Sequence, residues 1–215
     1  MRTISKGTEP PSLTVWKRAN PNKHYCDLKF EPDIRQDIRE YALKEQFYIC
    51  AYCCQRIEHI HDCHNEHLEA QSVNPKLTLD FTNIVASCNI QNQCGDAHKS
   101  KLLPLTPLMA ECETEIRFKI SGRVEGLSDR ATATIQILNL GDHERHNKKL
   151  IEKRKQLSNV LLWTNDIDPN EGLEDDQLLE MLIDELVQPQ RGQMEPFTPV
   201  VINLLRSWLA QTKKI

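Results

Sequence analysis

No stretch of this 215-residue chain approaches the roughly 20 consecutive apolar residues that cross a bilayer, so no membrane-spanning helix is expected. The first residues hold Lys6, Glu9, Pro10 and Pro11 but no apolar signal core, from which a cytosolic (cytoplasmic) protein is expected. Repeats and low-complexity tracts are absent, and apolar clusters recur from Leu43 onward, which excludes disorder throughout. Net charge is small. With His neutral, 27 Lys+Arg against 31 Asp+Glu leave −4, and taken whole that is no argument for a nucleic-acid binder. Lys and Arg are missing altogether from 156–190, where nine acids stand, among them Asp166, Glu174, Asp176, Glu180 and Glu185. The rest of the chain carries 27 basic residues against 22 acidic ones, so a basic-leaning body adjoins an acidic segment.

The length fits one domain, or one domain with a helical extension. Residues 1–32 read as an irregular N-terminal segment, with Lys6 to Trp16 either a tail or a strap over the core. In 33–47 the spacing of Ile34, Ile38 and Tyr41 predicts a helix, which leads into YICAYCCQRI, a short strand or hairpin around a knuckle. Pro75 argues against one continuous helix over 59–82. A polar Cys-bounded loop and a short helix follow in 83–100, and a first unit is taken to span 33–110. The remainder, 111–215, reads as a hairpin plus a helical region. TEIRFKISGRVEGL alternates around Gly122, and Ala131 to Leu140 forms a short helix. After His143, Leu150, Lys153, Leu157, Val160 and Leu161 are expected on one helix face. Arg145, Lys148, Lys149, Lys153, Arg154 and Lys155 form a basic face, either solvated or touching phosphate. An acidic amphipathic helix over 174–187 and a terminal helix over 198–210 complete the pattern.

Eight Cys and eight His stand out, mostly within 50–98. Without a secretion signal, such clustering favours metal over a disulfide framework. Cys50 and Cys53 form a C-x-x-C pair, and Cys88 and Cys94 form a second pair with five residues between them. Two thiolate pairs supply the four tetrahedral ligands of a structural Zn2+ site. A redox C-x-x-C or buried apolar thiols are the simpler readings. The wide second spacing leaves His59, His61 or Cys63 open as a substitute ligand, and counting alone does not separate Cys54 from Cys53. The segment between the pairs is polar and loop-rich, so a metal there would contribute folding free energy.

Between the Cys pairs lies His64-Asn65-Glu66-His67, then Asn83, and beyond Cys94 come Asp96, His98 and Lys99. These are ingredients for metal-assisted phosphodiester hydrolysis. A carboxylate and an imidazole hold a divalent ion (Mg2+, Mn2+ or Zn2+), and a neutral imidazole takes a proton from water. Any single His here could equally be structural or a zinc ligand.

The order Cys50/Cys53, Glu66-His67, Asn83, Cys88/Cys94 and Asp96/His98 resembles the zinc-bracketed form of the HNH (ββα-metal) endonuclease family. Within it, HNEHLEAQ…LDFTNIVASC…CGDAHK looks most like the HNH nuclease subunit of bacterial Septu and retron-associated anti-phage defence systems. The resemblance covers roughly 20–160 and is specific in 48–100. It implies an α+β fold: a ββα-metal HNH core stabilised by a four-cysteine zinc site (Cys50, Cys53, Cys88, Cys94), with a mainly helical C-terminal extension. It implies that Glu66 is a metal ligand, His67 the general base, and Asn83 the residue that orients the base-bearing loop. The remaining ligand position falls on Asp96 or His98, and His64 becomes support beside the metal. It also implies an effector subunit acting on nucleic acid, taken as DNA, with an ATPase partner. In retron-linked versions a reverse transcriptase joins, with its non-coding RNA or DNA product. Two departures are visible: no Pro follows soon after His67, and Asp96/His98 sits in a shifted register. The rival readings are a zinc-stabilised, non-catalytic module that binds nucleic acid or protein, and a stand-alone restriction-type HNH nuclease. The acidic segment and the Leu204/Leu205/Trp208 face serve either as docking surfaces or as the protein's own core.

Overall fold

The computed structural model of the chain describes residues 1–143, 145–171, 173 and 175–212. Glu174, counted above at the start of the acidic helix, lies outside the described residues. The chain is α+β, with two small antiparallel sheets among helices. No described helix is long and apolar enough to cross a membrane.

The N-terminal segment is not irregular throughout. Pro11 stands at the first position of helix α1 (Pro11–Ala19), where a missing N–H costs nothing and its fixed φ suits the helix. Met1, Ile4 and Leu13 are buried, so this segment is a strap on the core and not a tail. Lys6 fastens it: its ammonium meets Glu45 at 2.6 Å, donates to the Ile84 carbonyl at 2.8 Å and lies 3.6 Å over the Phe81 ring.

Helix α2 (Pro32–Glu45) also starts at a proline, and buries Ile38, Ala42 and Leu43. Phe47 and Tyr48, both at positive φ, then swing the chain round. Gln46 stitches the helix end to the next sheet, because its amide behaves like a strand residue. It donates to the Ala86 carbonyl at 2.9 Å and accepts from the Ala86 N–H at 2.7 Å. The expected strand or hairpin at YICAYCCQRI shrinks to one bridge, Ile49 to Arg56, around a tight knuckle.

Strand β1 (Cys63–His67) pairs antiparallel with β2 (Ile84–Cys88), in the register Cys63↔Cys88, Glu66↔Val85 and His67↔Ile84. A four-residue helix, α3 (Gly95–His98), follows directly from Cys94. Next come the hairpin β3 (Ile116–Phe118) and β4 (Val124–Gly126), and helix α4 (Asp129–Ile137), whose N-cap Ser128 accepts from Ala131 N–H. Gly122 turns the hairpin at φ +81°, and a Cβ there would stand 2.2 Å from the Ile151 carbonyl, so only glycine fits.

Helices α5 (Lys148–Thr164), α6 (Asp176–Leu186) and α7 (Thr198–Thr212) complete the chain. The buried face of α5 differs from the expected one. It holds Leu150, Ile151, Arg154, Ser158 and Leu162, while Val160 is 58% exposed. Arg154, assigned above to the basic surface, is fully buried. Its guanidinium donates to the carbonyls of Gly122 (2.7 Å) and Leu140 (3.0 Å), partners that come from elsewhere in the chain. One apolar cluster runs from Met1 through α2, both sheets and α4 to Leu204, across both boundaries at 32/33 and 110/111. A second joins Leu162 and Ile167 to α6 and α7.

Candidate functional site

Cys50 and Cys53 sit in the knuckle, Cys88 ends β2 and Cys94 precedes α3. All four are buried, none is in a disulfide, and their Sγ atoms lie within 4.8 Å of one another. Tetrahedral zinc with Zn–S bonds of about 2.3 Å places its sulfurs about 3.8 Å apart, so the cluster could hold a structural metal such as zinc. Two donors point at these sulfurs: Cys88 N–H donates to Cys50 Sγ at 3.4 Å, and Gln93 Nε2 to Cys88 Sγ at 3.6 Å. Burial pushes the Cys53 and Cys94 thiols well up, so four ionised sulfurs in this space call for a cation.

The alternative ligands open in the sequence lie elsewhere. His59 and His61 are exposed, and Cys63 donates to the Ile60 carbonyl, with burial pushing its thiol up to about 12. Cys54 turns away at φ +64°, and its carbonyl accepts from Phe197 N–H at 2.9 Å. Cys26 is exposed and Cys112 is buried beside Thr3.

Because side chains alternate along a strand, β1 sends His64 and Glu66 to one face and Asn65 and His67 to the other. On the first face Glu66, 8% exposed, stands between two imidazoles. Its Oε1 lies 2.6 Å from His98 Nδ1 and its Oε2 lies 3.2 Å from His64 Nε2. Burial works against ionisation of Glu66, but the two imidazoles outweigh it and hold the carboxyl below its usual range.

The remote ring nitrogens fix the proton positions. His98 Nε2 faces the Lys101 carbonyl at 2.6 Å, which can only accept, so Nε2 carries the proton. His64 Nδ1 faces Asn89 Oδ1 at 2.9 Å, and the amide orientation is set by Asn89 Nδ2 donating to the His61 carbonyl. His64 Nδ1 is then the protonated one. Both rings in their neutral forms therefore aim lone pairs at the same carboxylate. Such an arrangement needs either an extra proton on each ring or a cation.

Gly95 permits this approach. A Cβ there would lie 2.5 Å from His64 Nε2 and 2.7 Å from Glu66 Oε2, and the Gly95 N–H donates to Ser87 Oγ at 3.0 Å. Tyr52, between the two knuckle cysteines, is fully buried, and burial, then the nearby Glu66 charge, holds its pKa well above the usual phenol range. Asp96 is exposed and accepts from Asn92 N–H at 2.5 Å, so of the two open positions His98 is the one on Glu66.

On the other face, His67 Nε2–H donates to the Thr78 carbonyl at 2.9 Å, leaving Nδ1 as a base, approached only by Gln71 Nε2 at 3.4 Å. Burial lowers the His67 pKa, which favours the neutral ring, and Tyr25 packs edge-on at 4.6 Å. Asn83 closes the loop that brings Thr78 to His67. Its Oδ1 accepts from Glu69 N–H at 2.8 Å, and its Nδ2 donates to the carbonyls of Glu69 (3.0 Å) and Leu77 (3.3 Å).

Tyr25, Tyr52, Thr78 and Gly95 were not singled out from the sequence. Thr78 acts through its carbonyl, which no side-chain pattern reveals, and Tyr25 arrives from a distant turn. Gly95 sat in plain view next to Cys94, where a glycine signals close backbone approach. No protein-family model matches the chain, and no curated protein matches it either.

Proposed function

We propose that the chain is a metal-dependent endonuclease of the HNH type, hydrolysing phosphodiester bonds in nucleic acid, with DNA as substrate. The observation that carries this reading is the grouping at Glu66: the imidazoles of His98 at 2.6 Å and His64 at 3.2 Å converge on one buried carboxylate, while the following residue in the strand, His67, has its Nδ1 approached by Gln71 alone at 3.4 Å among the described residues. In this reading β1, β2 and α3 form the ββα-metal core, bracketed by a zinc-holding knuckle.

Glu66, His98 and His64 would hold the divalent ion, Mg2+ or Mn2+, with Zn2+ as the alternative. Bound there, such an ion supplies positive charge to a phosphate oxygen and to the leaving 3′ oxygen. His67 Nδ1 takes the proton from an attacking water. The Thr78 carbonyl fixes the ring orientation and stabilises the imidazolium as it forms. Asn83 holds the Thr78 loop and does not touch the substrate. Asp96 has no part in this set. The resemblance of HNEHLEAQ…CGDAHK to defence nucleases supports a further assignment: effector subunit of an anti-phage complex, partnered by an ATPase and, in retron-linked forms, by a reverse transcriptase with its RNA or DNA product.

The test uses zinc-loaded protein with labelled DNA, alone and together with an ATPase if a neighbouring gene encodes one. Cleavage is expected to require added Mg2+ or Mn2+ and to fall at least about 100-fold in His67→Ala, with zinc content and melting temperature unchanged. A chain that cuts nothing under these conditions is a zinc-stabilised binding module instead, and cleavage undiminished in His67→Ala would remove His67 as the base. Full activity without any partner would favour the stand-alone nuclease over the defence subunit.

A further inference from the structure

Away from Glu66, two clefts meet at Arg145. The first, about 780 Å3, lies between the β3–β4 turn and α5, where Arg123, Arg145, Lys148 and Lys155 line it together with Glu152. The second, about 590 Å3, continues from Arg145 past Asn139 and Asn147 to Lys101 and Ala97. Lys101 is the residue whose carbonyl holds His98, and Ala97 is in α3 beside it. The two clefts share Arg145 and together form a trough that runs from Ala97 and Lys101, which flank His98, to α5.

Its walls are tied to one another. The Gly122 turn is pressed onto the Ile151 carbonyl, and buried Arg154 ties α5 to Gly122 and Leu140. Lys148, Glu152 and Lys155 fall on one face of α5 at spacings of four and three, whereas Lys149 and Lys153 point elsewhere and line neither cleft. Among the described residues the acids on the lining are Glu152 and Asp142, and Asp142 pairs with His146 at 2.9 Å. Basic side chains on fixed walls at successive positions suit a polyanion with a regular charge repeat, and duplex DNA offers about one charge per 1.7 Å of axis.

We infer that this trough carries the phosphate backbone of duplex DNA away from the Glu66 centre along α5. The inference rests on the nuclease reading for its choice of ligand, but its test is a binding measurement. The basic-leaning body concealed in the net charge of −4 thus has a location.

The experiment compares two charge reversals of equal size on one helix. Binding of a labelled 20-base-pair duplex to the full, zinc-loaded chain is followed by fluorescence anisotropy without Mg2+ or Mn2+, over a series of salt concentrations. Lys148→Glu/Lys155→Glu is expected to weaken binding at least about tenfold and to make the salt slope shallower by about two contacts. The control, Lys149→Glu/Lys153→Glu, is expected to change affinity less than about threefold. All four lysines are exposed, so melting temperature and zinc content verify the fold of each variant. Equal losses in both variants, no loss in either, or no duplex binding by the parent chain would overturn the trough. So would a cleft variant that changes only self-association, because the trough would then receive the acidic segment of a second copy. DNA binding along the trough without any cleavage would sink the nuclease reading alone; cleavage indifferent to Lys148 and Lys155 would sink the trough alone.

Discussion

At Gly95 a missing carbon decides how near α3 comes to β1. A methyl group there would sit 2.5 Å from His64 Nε2 and 2.7 Å from Glu66 Oε2, the ends of two side chains whose mutual contact, and that of Glu66 with His98, would have to shift to make room. Gly95→Ala is therefore expected to push α3 and the Glu66 pair apart while the four-sulfur cluster survives. Overpacking of this kind costs about 1–3 kcal/mol. Calorimetric titration with Mn2+ is expected to give at least tenfold weaker binding at unchanged zinc content, about the size of one lost ligand. Unchanged Mn2+ affinity would mean that close approach of α3 does not set this site. Arg154 makes the complementary point at the same scale: among the described residues no carboxylate meets this buried cation, and two backbone carbonyls and the Phe118 ring receive it.

Among the elements, the link between the hairpin and α4 draws on one half-buried carboxylate. Glu115, just before β3, accepts from Arg130 at 2.5 Å and from the N-cap Ser128. The bonds from Arg130, then Ser128, pull its carboxyl down from 4.5 to about 2. A depressed folded pKa means that the contribution is fully present above pH 4.5 and fades as the pH drops from there towards 2. Urea midpoints of wild type and Glu115→Gln should thus differ at pH 6, and the gap should narrow below pH 4.5. A gap independent of pH would point to the lost hydrogen-bond geometry, not to the charge. The hairpin was legible in TEIRFKISGRVEGL because alternation and a turn glycine are local signals. The face of α5 was not. Its buried stripe contains an arginine and a serine, and what makes Arg154 an interior residue is the position of Gly122 and Leu140, remote from it in the chain.

For the whole molecule, the four cysteines join three separate stretches: the knuckle, the end of β2 and the start of α3. The strap, α2 and both sheets share one apolar cluster with that junction, so loss of the metal should loosen far more than a loop. Structural zinc in small domains contributes about 10–16 kcal/mol of apparent binding free energy. Chelation is expected to release about one zinc per chain and lower the melting temperature by at least about 10 °C. Hydrogen exchange should rise first over 49–101 and last over α6 and α7, which build a cluster of their own. Protein purified without bound zinc at an unaltered melting temperature would remove the metal from the fold.

The amino-acid sequence by itself determined the features that are local or countable. These are the two Cys pairs, the short helix after Cys94, the hairpin around Gly122, and the division of charge between a basic body and an acidic segment. Spacing and alternation are properties of neighbours in the chain, and they survive without coordinates. Only the tertiary structure decided that His98 and not Asp96 faces Glu66, because the two are two residues apart on one short helical turn and the fold selects between them. It alone supplied the Thr78 and Lys101 carbonyls, which set the protons on His67 and His98 and belong to no side chain. It also placed the basic residues of α5, burying Arg154 and leaving Lys148 and Lys155 on a trough. Direction, proton position and burial depend on what a folded chain brings from far away, and a linear pattern carries none of these.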